Sequence, residues 1–141
     1  MKRLMLILAT LLIATCMVGA LADAAPVLPN AVPAQSKEDF IGKWQLSGAS
    51  ILGSIYFTAE ELGSTADLVV GENSITINFG DDSGTSHWVL LEDGTLQYTD
   101  PDGSTGVFVL NDDGTVSTTM DTQVQDTMVA LTMYFARVPE Q

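Results

Sequence analysis

Cysteine is almost missing from this 141-residue chain: there is one, Cys16, and it lies inside the apolar opening. If that opening is removed on export, no disulfide can staple the remaining chain, and the fold rests on packing alone. Histidine is as scarce, with His87 the sole example, so a zinc site built on imidazole and thiolate is not expected. A Ser-His-Asp arrangement stays open, because its members come from distant positions, but nothing resembles a nucleophile elbow. His87 reads by default as a strand residue beside Trp88. Positive charge is the third shortage. Five Lys and Arg face 18 Asp and Glu, and two of the five, Lys2 and Arg3, belong to the opening. The excess of carboxylates opposes binding to nucleic acid or to an anionic membrane, and it keeps an exported protein soluble.

What is present begins with a targeting signal. Lys2 and Arg3 are followed by an apolar run from Leu4 to Val18 and by the small residues around Ala20-Leu21-Ala22. That order is a secretory signal peptide, residues 1–22, with cleavage after Ala22 or Ala24. It is too short for a membrane anchor, which needs about 20 apolar residues, so no transmembrane span is expected in the mature protein. Lipidation at Cys16 is the alternative. Thr15 before it and the greasy Met17 to Leu21 after it argue for free secretion. Residues 23–37 hold Pro26, Pro29 and Pro33 without strand or helix period and read as a flexible linker, leaving 38–141 as one domain.

Within that domain the spacing of turn signals decides the fold class. Asp81-Asp82-Ser83-Gly84, Glu92-Asp93-Gly94, Asp100-Pro101-Asp102-Gly103 and Asn111-Asp112-Asp113-Gly114 recur with β-rich segments between them. Glycine supplies positive φ and the Asp or Asn side chains support the turn. Between the turns, Ile75, Ile77 and Phe79 alternate with Ser74, Thr76 and Asn78, and Leu96 and Tyr98 with Thr95, Gln97 and Thr99. One face is inside and the other wet. Trp88 to Leu91 and Val107 to Leu110 are apolar on both faces, and their orientation stays open. Strands are expected near 43–50, 66–71, 74–79, 85–91, 95–99, 105–110, 115–120 and 128–138. The fold class is therefore all-β, an eight-stranded antiparallel up-and-down meander that closes into a barrel. One short helical turn interrupts the first strands: Thr58-Ala59-Glu60-Glu61 is a capping box, Phe57 and Leu62 fit a hydrophobic staple, and Gly63 is a left-handed stop. It is either a connector or a lid over the barrel mouth.

Phe40-Ile41-Gly42-Lys43-Trp44 at the head of the first strand, with a last strand ending Tyr134-Phe135-Ala136-Arg137-Val138, resembles the lipocalin group. Small bacterial lipocalin-like domains of exported proteins are the nearest kind, and the resemblance covers residues 38 to 138. It implies a Gly-x-Trp signature and a basic residue on the last strand. Strand parity supports carrying this over. Trp44 shares its face with Leu46, and Arg137 shares its face with Leu131, Met133 and Phe135, so both are expected to point inward, where Arg137 can stack on Trp44 and close the barrel floor; the alternative is Trp44 as ordinary core with Arg137 ending in solvent. Vertebrate lipocalins are longer and usually carry a further helix and a disulfide, which are not found here.

The resemblance implies a non-enzymatic binding domain. Phe57, Leu62, Phe79, Trp88, Tyr98, Met120, Met128 and Met133 are the candidate lining for a small apolar or amphipathic ligand at the mouth; the same set equally makes a dry core. The alternative is a cell-surface interaction module, or an inhibitor of a secreted enzyme, with a solid core and a protein partner. No cofactor is expected. The Asp-rich turns offer oxygen ligands to calcium, but none supplies a spaced Asp run with a distal Glu.

Overall fold

The computed structural model describes residues 28–52, 55–63, 65–79 and 81–139. The expected signal peptide, Cys16 and the first part of the expected linker lie outside the described residues. The strands are β1 (Ala31–Val32), β2 (Gly42–Ile51), β3 (Ile55–Thr58), β4 (Asp67–Val70), β5 (Ser74–Phe79), β6 (Asp82–Leu90), β7 (Leu96–Thr99), β8 (Thr105–Asn111), β9 (Val116–Val124) and β10 (Thr127–Arg137). One helical turn, α1 (Ala59–Leu62), separates β3 from β4, and a 3-10 turn spans Lys37–Asp39. Neighbours run β2-β4-β5-β6-β7-β8-β9-β10 and back to β2, all antiparallel, so eight strands close a barrel.

Three hairpin turns are built alike. In each an Asp accepts from the amide two residues on: Asp93 from Thr95, Asp102 from Ser104, and Asp113 from Thr115. The glycine after each Asp is left-handed, with φ of 81°, 88° and 86° at Gly94, Gly103 and Gly114. Hydrogen bonding from Thr95 also holds the exposed Asp93 carboxyl below its usual range. The fourth turn signal falls elsewhere. Phe79 faces Asp82 and Ser83 faces Asn78, so Asp82, Ser83 and Gly84 belong to β6 and the hairpin is tighter than Asp81 to Gly84 suggests.

Two short strands lie beyond the eight. Residues 28–37, expected to be linker, are tied to the barrel: Ala31 and Val32 pair with Asn111 and Leu110, and the Ala34 amide donates to the Gly94 carbonyl. Two paired residues between Pro29 and Pro33 give no periodic signal, and proline tolerates only such an edge. β3 folds back on the upper half of β2, and α1 then leads to β4 on its lower half. The Thr58 hydroxyl accepts from the Glu61 amide, the Glu61 carboxylate accepts from the Thr58 amide, and Gly63 ends the turn at φ 66°. Leu62 is carried into the core, so α1 acts as connector and stopper together.

At the other end Trp44 and Arg137 meet as register partners. The guanidinium carbon sits 4.2 Å from the ring centroid, and its nitrogens donate to the carbonyls of Ile41 (2.8 Å) and Asp39 (2.9 Å). The indole N–H of Trp44 donates to the Phe40 carbonyl at 2.8 Å, which places Phe40 as the floor. Gly42 is required between them: its φ is 141°, and a Cβ there would collide with the Arg137 guanidinium.

Candidate functional site

The inward side chains show how the middle of the barrel is filled. Trp44, Leu68, Ile75, Trp88, Leu96, Phe108, Val116 and Phe135, one from each barrel strand, keep only 0–3 % of their surface accessible. A water-sized void beside any of them would expose its wall, so this belt is solid. The apolar-on-both-faces segments resolve accordingly, with Trp88 and Phe108 inward and Val89 and Val107 outward.

The eight candidate lining residues divide between core, core margin and surface. Leu62, Phe57, Tyr98 and Met133 are buried in the common core, and Phe79 and Met120 are half-buried at its margin. Trp88 lies toward the closed end, edge-on to Phe40 with centroids 6.2 Å apart, and beneath the Lys37 ammonium. Met128 is 62 % exposed, because β10 turns its odd positions inward and Met128 falls on the other face.

Toward the mouth the interior becomes polar. Ser86, Asp100, Thr118 and Thr122 are buried there with Tyr98. Ser86 donates to Asp100 Oδ1, Ser104 donates to Oδ2, and Thr118 donates to the Val107 carbonyl. The Tyr98 ring crosses Gly106, its register partner, and packs against Phe108 at 5.7 Å between centroids. Burial first, and then the Asp100 charge, push the Tyr98 phenol up to about 12, against a hydrogen bond with Thr118 that lowers it. The folded state thus holds this proton more tightly than the unfolded chain. The stability it contributes is whole below pH 10 and is lost as pH rises toward 12, by roughly 2 kcal/mol. Urea midpoints measured across that window should fall, and Tyr98→Phe should flatten the fall; a slope unchanged in the variant would refute the assignment.

Ser86, His87 and Asp100 border one surface pocket, yet they do not make a catalytic triad. Ser86 bonds the carboxylate directly, while His87 occupies the outward position of β6 and is exposed. Among the described residues no three His, Cys, Asp or Glu converge as metal ligands. No described helix is long and apolar enough to cross a membrane.

The outer wall carries what composition alone does not display. Tyr56 and Tyr134 pair on the outside of β3 and β10 with centroids 6.0 Å apart, and the Tyr134 and Ser50 hydroxyls lie 3.2 Å apart. Burial, then the neighbouring Tyr134, Asp113 and Glu61, push the Tyr56 phenol up. At the closed end a groove of about 760 Å³ runs along Ile41 to Lys43, Val69, Val70 and Arg137 to Pro139. A second, of about 390 Å³, shares Lys43, Val69 and Val138 with it and extends past Asp67 and Asn78. Neither is legible in the sequence, since they join outward positions of β2 and β4 to the end of β10; the single hint is that Lys43 and Val69 both fall on outward parity. No protein-family model, curated protein or solved structure matches this chain, so its site is defined by its own geometry.

Proposed function

We propose that this protein is an exported, non-enzymatic, lipocalin-like barrel that binds through its outer surface and not through a lumen. The observation that carries this reading is the belt of inward side chains, one per strand, with almost no accessible surface. A carrier that swallows an apolar ligand needs several hundred Å³ of interior, and a belt of side chains this deeply buried argues for packing in its place. The lipocalin-like relationship rests on Gly42-Lys43-Trp44 and on the stacked Arg137 that closes the floor. Export rests on the charge, apolar run and small residues of 1–22. The half-buried Phe79 and Met120 at the margin are what favours the second reading, a small apolar ligand at the mouth.

Two measurements separate the readings. Native mass spectrometry of protein purified from its source should show no uncharged apolar ligand, and the neutral dye Nile red should not brighten on mixing. Pull-down from the surface fraction should retain a protein partner. A stoichiometric uncharged apolar ligand in the native spectrum would restore the mouth reading and defeat the outer-surface one.

A further inference from the structure

The three cationic side chains beyond the signal, Lys37, Lys43 and Arg137, all belong to the closed end, although 18 acids are spread over the chain. The sheet register places them there: Lys43 and Arg137 flank the Gly42 to Trp44 start of β2, and the Lys37 ammonium donates to the Glu72 carbonyl in the β4–β5 turn. Their states differ. Arg137 is committed to Trp44 and two carbonyls, and Lys37 to Glu72 and the Trp88 face. The exposed Lys43 ammonium has no hydrogen-bond or ion-pair partner among the described residues. It stands where the two grooves join, with the exposed apolar side chains of Val69 and Val138 beside it.

A cation without a partner among the described residues, over an apolar floor, selects an anion that carries an apolar body. The charge attracts the head from solution, and the valines remove the tail from water. A groove of about 760 Å³ has the volume of a small-molecule site. Asp67, which lines the second groove, repels the head from that side, which sets the ligand's direction: head at Lys43, tail along Val69 and Val138. We infer that the closed-end groove of Lys43, Val69, Arg137 and Val138 binds a small anionic amphiphile, of the fatty-carboxylate class. The inference rests on the outer-surface reading and names the place and the chemistry.

The test is an amide-resolved NMR titration of the mature protein with sodium octanoate below its micelle concentration. Octyl glucoside, with the same chain and no charge, is the control. Octanoate should give saturable shifts at Ile41 to Lys43, Val69, Val70 and Val138, weakened by added salt. Lys43→Gln should weaken binding about fivefold or more, and Lys37→Gln, at the same end but outside the groove, should leave it unchanged. Equal binding of octyl glucoside, an unaffected Lys43→Gln variant, or no saturable shift would each overturn the inference and leave the outer-surface reading standing. Shifts at the inward Leu131, Met133 and Phe135 instead would overturn both.

Discussion

Phe108→Ala is expected to lower the stability of the domain by about 3–5 kcal/mol, among the largest losses a single core truncation produces. Phe108 has no accessible surface. It sits between Tyr98 and Phe135, at 5.7 and 6.0 Å between centroids, and so joins three strands. Those neighbours are held by their own ladders, to Gly106 for Tyr98 and to Leu46 and Val116 for Phe135. They cannot collapse into the space left behind, and the cavity persists with the lost transfer energy added to it. A loss of this size is a large share of the roughly 5–15 kcal/mol that holds a typical domain. Urea unfolding should show a much lower midpoint at similar slope, and a drop under about 1 kcal/mol would mean that the core is looser than its burial indicates.

Gly106→Val is expected to cost about 3 kcal/mol for the opposite reason. Glycine faces Tyr98 across the β7–β8 ladder, and a Cβ built there meets the phenol ring. The ring is buried and packs against Phe108, so it has little room to yield. Overpacking a filled interior forces strained rotamers or strand shifts, at the upper end of the usual range of about 1–3 kcal/mol where the obstacle is buried. Tyr98→Ala in the same molecule removes the obstacle, so the double variant should be more stable than the two single losses predict when added. Strict additivity would show that the ring does not lie over the glycine.

The fold is legible wherever parity and turn chemistry point the same way. Ile75, Ile77, Leu96 and Tyr98 alternate with polar neighbours, the latter two between Asp-Gly turns, and they lie inward as expected. The Thr58 capping box is equally readable, because both of its partners are local. Arg137 over Trp44 follows from the inward parity of both end strands. Sequence and structure part where one signal has to serve alone. Asp81 to Gly84 has turn composition, but pairing of Ser83 with Asn78 outweighs it. Residue type groups Met128 with Met133, whereas a separation of five positions places them on opposite faces. Asp100 has the sequence context of a turn residue, yet it is buried and accepts from Ser86 fourteen positions away. The groove at Lys43 needs three chain segments side by side, and no local pattern encodes that.

The order of neighbours has a consequence for how the chain reaches this state. From β4 to β10 every strand pairs with the next, so each pairing closes only a short loop. The seam of β2 with β10 instead joins positions 44–51 to 131–137. Bringing those ends together costs on the order of 4 kcal/mol of chain entropy before any contact repays it. The rate-limiting barrier should therefore precede the seam, with the meander already formed. Truncations at Tyr98 should slow refolding, while Arg137→Met should mainly hasten unfolding; the reverse pattern would put the seam first.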